Sequence, residues 1–161
     1  MQMRGQAGEH IRTSREIVVY LGEAARTSHK ALFSLGDECY VSASKNVISA
    51  ILSVAVQDVD RLHVSAGWTA ILKVALWTPG EPALYDVINL LRKAGASDVD
   101  LGPFRKSDVA HIFPSLYYYR RFDILKRICR AAKAMAESRI DRKVHCHLVS
   151  DQEVKIVASS L

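Results

Sequence analysis

Apolar residues along this chain recur with two different periods, and the switches between them predict its elements. Over residues 12–33, Ile17, Tyr20, Leu21, Ala24, Ala31 and Leu32 recur at helical spacing, and Gly36-Asp37 ends the segment. Residues 38–43 (ECYVSA) alternate and read as a short strand. Ser44 suits the N-cap of a helix over KNVISAILSVAVQ, which is apolar on nearly all sides. Residues 61–66 (RLHVSA) predict a second strand, followed at once by Gly67 and the helix-like TAILKVALW. The run TPGEP stops that helix, because proline removes a donor and restricts the residue before it. Pro82 then suits the first turn of a helix over ALYDVINLLRKAG, with Gly95 at its C′ position. Residues 96–110 read as a loop in which Ser107 or Asp108 starts a short helical turn, and Pro114-Ser115 caps a helix over 116–138. KVHCHLVS and VKIVASS alternate about Asp151-Gln152-Glu153, the pattern of a β-hairpin.

These elements predict an α/β fold. A β-α-β-α core and the C-terminal hairpin form a small mixed sheet, and additional helices cover it. The length suits one domain over residues 1–161. Within it lie an N-terminal helix (10–35), the βαβα unit (38–77), a helical insertion (79–142) and the hairpin (143–161). At 49% hydrophobic the chain carries enough apolar residues for a core. No apolar run approaches the ~18–20 residues of a membrane span. The first thirty residues lack the apolar core of a secretory signal, and Glu9, Glu16 and Glu23 argue against an organellar presequence. Cys39, Cys129 and Cys146 are odd in number and widely spaced. They read as free thiols of an intracellular, reducing compartment, either cytoplasm or organelle matrix.

Charge changes the picture by its placement. From Arg105 to Lys143 there are eleven Lys and Arg against four Asp and Glu, a net +7 where the whole chain carries +5. On a wheel, the 116–138 helix carries an apolar stripe of Tyr118, Phe122, Leu125, Cys129, Ala132 and Ala136. Arg120, Lys126, Arg127, Arg130 and Lys133 fall opposite. Lys and Arg on one face neutralise phosphates, and Tyr117 to Tyr119 at one end offer stacking surfaces for unpaired bases. The same face also reads as a solvated surface or as a dock for an acidic protein partner. Arg121 lies within the apolar arc and must either snorkel outward or meet a carboxylate.

Residues 38–77 give strand, helix, strand, helix, and VSAGWTAILKV within them is similar to a signature of Alba-superfamily nucleic-acid-binding proteins. Ala66, Ala70, Ile71 and Lys73 fall in register with that pattern, and 143–159 would supply the last two strands. The resemblance implies a compact βαβαββ module that binds DNA or RNA and commonly dimerises. It also implies Lys45 and Lys73 as nucleic-acid contacts, each placed near a helix N-terminus, where backbone donors favour a phosphate.

The expected function is therefore non-catalytic nucleic-acid binding, RNA rather than DNA, within a ribonucleoprotein. The contacts would be Lys45, Lys73, Arg105, Lys106, Tyr117, Arg120, Lys126, Arg127, Arg130 and Lys133. The alternative is an adaptor subunit docking through the basic helix, Trp68, Trp77 and the tyrosines. Neither reading calls for a cofactor. Alternation puts His145 and His147 on one strand face and Cys146 on the other, so those three cannot chelate together. A metal there would need further ligands such as His63, and surface strand histidines are the plainer expectation. Ser42-x-x-Lys45 matches an acyl-transfer motif without its companions. No GxSxG, HExxH or glycine-rich phosphate loop occurs, so no catalytic site is spelled out.

Overall fold

A computed structural model describes residues 15–44 and 46–161. Five strands form one sheet in the order β2-β1-β3-β4-β5. The strands are β1 (Glu16–Tyr20), β2 (Tyr40–Ser42), β3 (Arg61–Ala66), β4 (Lys143–Ser150) and β5 (Lys155–Ser159). The first four run parallel, and β5 returns antiparallel to β4. The helices are α1 (Glu23–Phe33), α2 (Val47–Ala55), α3 (Trp68–Leu76), α4 (Leu84–Lys93), α5 (Asp98–Leu101), α6 (Val109–Tyr118) and α7 (Phe122–Ile140). The mixed α/β architecture is the one expected. None of the helices among the described residues is long and apolar enough to cross a membrane.

The first element differs from expectation. Residues 16–20 (EIVVY) form a strand, not the start of a helix, and only Glu23–Phe33 is helical. The reason is local: Ile-Val-Val is a β-branched run, and such residues fit a pleated ladder better than a helix. Ile17, Val18 and Val19 are all buried, as a central parallel strand requires. Gly22 at φ 90° then turns the chain into α1, a conformation costly for any L side chain. The N-cap of α2 is Asn46, whose side chain accepts from Ser49 N at 3.1 Å, and not Ser44.

The basic segment is two helices rather than one. Pro114 lies inside α6 instead of capping the following helix. The chain breaks at Tyr119–Arg121, with Arg120 left-handed at φ 56°. Arg121 fixes the break by bonding Asp100 at 2.8 Å and Asp123 at 3.2 Å. Hydrogen bonds that Arg121 donates to Asp123 and Asp100 raise its pKa, and burial works against this to a smaller extent. Residues 96–110 are more ordered than a loop, since Ser97 and Asp100 form a reciprocal capping box on α5.

The two sheet faces differ. Ile17, Val19, Leu62, Val64, Ala66, Val144, Cys146 and Leu148 face one continuous apolar core with α2, α3 and α7. On α7, Leu125, Cys129, Ala132 and Ala136 are buried as the stripe predicts, while Tyr118 and Phe122 are exposed at 78% and 40%. Burial pushes the Cys129 thiol up to about 12 and Cys146 also up, which makes both inert as nucleophiles. On the opposite face Glu16, His63, Ser65, His145 and His147 lie beneath α1.

Candidate functional site

The connections place a cleft at one edge of the sheet. From β1 the chain winds through α1 to β2, then crosses back past β1 to β3. The reversal between β1 and β3 leaves a crevice beyond their carboxyl ends, the place where open parallel sheets bind ligands. A cavity of about 1140 Å³ occupies it. Its floor is Leu21–Ala24 after β1, Gly67–Ala70 after β3 and Val149–Glu153 at the end of β4 and beyond it.

Two of the floor segments are glycine-led helix starts. Neither Gly22 nor Gly67 supplies a side-chain cap, so the first N–H groups of α1 and α3 face the cleft region without an internal acceptor. A Cβ at Gly67 would sit 3.9 Å from both Asp151 Oδ2 and Val149 O, in ordinary contact. The wall is aromatic. Trp68 stacks on Phe113 at 6.0 Å, Phe113 on Tyr117 at 5.7 Å, and Tyr117 meets Phe122 edge-on at 5.7 Å. Trp68 Nε1 donates to Val109 O at 2.9 Å and so ties the wall to α3. At the rim Tyr117 donates to Glu153 at 2.9 Å, and Lys155 pairs with Glu153 at 3.0 Å. Hydrogen bonds from Lys155 and Tyr117 hold the Glu153 carboxyl below its usual value. Arg120 closes the lining from the α6–α7 break.

The expected contact residues therefore separate. Tyr117 and Arg120 meet in the cleft. Lys126, Arg127 and Arg130 stay on the exposed face of α7, where Arg127 donates to Ala94 O at 3.2 Å. Lys133 is committed internally, to Glu137 at 2.7 Å and Val144 O at 2.8 Å. Arg105 and Lys106 are exposed beyond α5, and Arg105 lies 3.6 Å from Asp98. Lys73 stands in the last turn of α3, not near its N-terminus, so the expected phosphate geometry is missing there. Lys45 lies outside the described residues.

A second polar cluster lies between α1 and the sheet. His29, His63 and His147 are 0%, 3% and 0% exposed, so the strand histidine His147 is core and not surface. Nε2 of His29 is 3.2 Å from Nδ1 of His63, and Nε2 of His147 is 3.0 Å from the same atom. The outward nitrogens bond Tyr40 Oη (2.8 Å), Glu16 Oε1 (2.8 Å) and Ser159 Oγ (3.0 Å) respectively. Burial, with like-charge repulsion among them, pushes His29 down to about 3 and His147 to about 2. His63 is also lowered by burial, against the pull of Glu16. All are neutral imidazoles near pH 7. Alternation had already put His145 with His147, and His145 is half-buried beside His63 with rings 5.5 Å apart. His29 carries no sequence signal of its own, since it sits alone on a polar helix.

No family model matches the chain. In an alignment of 143 positions that covers 84% of its length, it is 24% identical to a cobalt-precorrin-5B C(1)-methyltransferase of Desulfotalea psychrophila. The chain spans 39% of that relative's length. Among solved structures it is similar to the β-carbonic anhydrase CafA of Aspergillus fumigatus, with a TM-score of 0.36 and 11% identity. That similarity covers 93% of this chain and 78% of the other.

Proposed function

We propose that the chain is a small-molecule-binding domain of a methyltransferase acting on a cobalt-precorrin-like macrocycle. The carrying observation is the cleft at the β1/β3 reversal, with two uncapped helix starts on its floor and an aromatic wall from Trp68 to Phe122. Flat aromatic surface supplies contact area for a large ring. Helix N-terminal donors and Arg120 suit its anionic groups. The similarity to the Desulfotalea methyltransferase extends through most of the chain and supports the reading. Because the chain spans 39% of that relative, binding is the property to test rather than turnover.

The test is titration of a cobalt corrinoid into the purified chain, followed by the shift of its visible absorption. Binding in the micromolar range is expected, weakened about tenfold, or ~1.4 kcal/mol, by Trp68→Ala or Tyr117→Ala. Absence of any shift, or wild-type affinity in both variants, rejects the proposal.

A second reading is supported by Lys126 and Arg130. Both are exposed, and neither has an ion pair or side-chain hydrogen bond among the described residues. With the exposed Tyr118 and Tyr119 they suit the RNA-binding function expected from charge. Filter binding across a salt series separates the readings. RNA affinity that falls steeply with salt and is lost on Lys126→Glu with Arg130→Glu favours the nucleic acid.

A further inference from the structure

We infer that His29, His63 and His147 form a three-imidazole site for a divalent transition-metal ion, with zinc the ion that fits best. The argument rests on proton counting and does not depend on the reading of the cleft. His63 Nε2 faces the Glu16 carboxylate, which only accepts, so the His63 proton sits on Nε2 and Nδ1 is a lone pair. Two further imidazole nitrogens point at that one lone pair, at 3.2 and 3.0 Å.

Without an ion, no assignment satisfies the cluster. If both His29 and His147 protonate inward, two donors crowd one acceptor. If one protonates inward, the other opposes lone pair to lone pair. If both protonate outward, three lone pairs converge with nothing between them. The cluster is buried, so each unmet group keeps its full desolvation penalty.

An ion resolves every contact at once. The outward protons of His29, His63 and His147 then go to Tyr40, Glu16 and Ser159, and the three inward nitrogens all become ligands. This is the outer-shell arrangement that fixes imidazole tautomers around metals, with a carboxylate on one of the three. The spacing agrees. Nitrogens ~2.0–2.1 Å from a tetrahedral ion stand roughly 3.3 Å apart; two of the three pairs here lie at 3.2 and 3.0 Å, and the His29–His147 pair, within 4.8 Å, is the one an ion would draw in. Neutral imidazoles do not have to shed a proton to bind, consistent with their lowered pKa values. The donor set is all nitrogen, which favours zinc, copper or nickel over magnesium or calcium. Phe33 stacks on His29 at 4.4 Å and leans on His63 and His147 at 5.4 and 5.1 Å, so it screens the site on one side.

The test uses the full chain, stripped with a chelator, dialysed against zinc and analysed for bound metal. About one equivalent is expected, and cobalt(II) in its place should give the intense visible bands of a tetrahedral site. His63→Gln and His147→Gln should abolish the tight equivalent, while His111→Gln on the exposed face of α6 should leave it. If the ligand variants fail to fold, Glu16→Gln and Ser159→Ala keep all three imidazoles. They should weaken zinc binding about 10–100-fold with circular dichroism unchanged. No tight equivalent in the wild type, or undiminished binding in the ligand or outer-shell variants, overturns the inference.

Discussion

The two faces of the sheet are built from alternate residues of the same strands and stabilised by different means. On β4, Val144, Cys146 and Leu148 enter the apolar core, and His145 and His147 point the other way. On β3, Leu62 and Val64 alternate with His63 and Ser65. The apolar face lies beneath three helices and draws its stability from area removed from water. The histidine face lies beneath α1 alone, and each polar group there needs a partner to offset its desolvation. Ser65 Oγ donates to Ala25 O at 2.9 Å, and Ser28 Oγ to Ala24 O at 2.6 Å. Burial alone therefore does not distinguish the two faces, because His63, Ser65 and His147 are as buried as the apolar core. The distinction is between non-directional packing, which tolerates exchange of similar volumes, and directional contacts, which do not.

Adjacent residues of β4 offer the sharpest way to break this comparison. Leu148→Ala should cost about 2–5 kcal/mol in urea denaturation, because it opens a cavity in a closed core. A loss well under that range would mean the apolar face repacks freely. On the other face, zinc at a hundredfold excess over its dissociation constant should stabilise the wild type by about 2.7 kcal/mol. In His147→Gln the same addition should leave the unfolding midpoint where it was. An equal shift in both proteins would make the histidine face an ordinary hydrogen-bonded layer.

Two smaller effects sharpen the contrast. Ser65→Ala should cost about 0.5–1.5 kcal/mol by removing the hydroxyl's hydrogen bond to the Ala25 carbonyl, although it removes only one oxygen. Glu137 anchors the apolar side, where it accepts from Lys133 at 2.7 Å and from Val144 N at 2.9 Å. Burial pushes its carboxyl pKa up, but these donors and the nearby charge outweigh that and hold it below 4.5. A depressed folded pKa contributes stability above the unfolded value and loses it as pH falls through the folded value. Glu137→Gln should therefore cost about 1 kcal/mol at pH 7, and its difference from the wild type should shrink in denaturation series run below pH 4.5.

Much of the fold was legible. The alternation in RLHVSA and KVHCHLVS marked β3 and β4, and TPGEP ended α3 close to its observed last residue. Gly95 takes the left-handed position the C-cap reading required, at φ 104°. Of the two outcomes open to Arg121, snorkelling outward or meeting a carboxylate, the second holds, with Asp100 and Asp123 both in place. The failures have physical causes. EIVVYLGEAA satisfies a helical period only if the β-branched run is ignored, so β1 was hidden inside a helix. The basic helix looked continuous because a wheel has no term for a break held by one arginine. The cleft was missed because its two glycines follow strands that end about 45 residues apart in the chain, at Tyr20 and Ala66.

By itself, the sequence determined which residues could be buried and on which strand face, since a period of two leaves no choice once the strand exists. It paired His145 with His147, against Cys146, before any neighbour was known. Only the tertiary structure decided the strand order, and the strand order decided the sites. Insertion of β1 between β2 and β3 created the reversal that opens the cleft. The same insertion set Glu16 beside His63, and α1 brought His29 down over both from 34 residues away in the chain. Convergence of that kind depends on crossover connections between distant segments, and no local period encodes it.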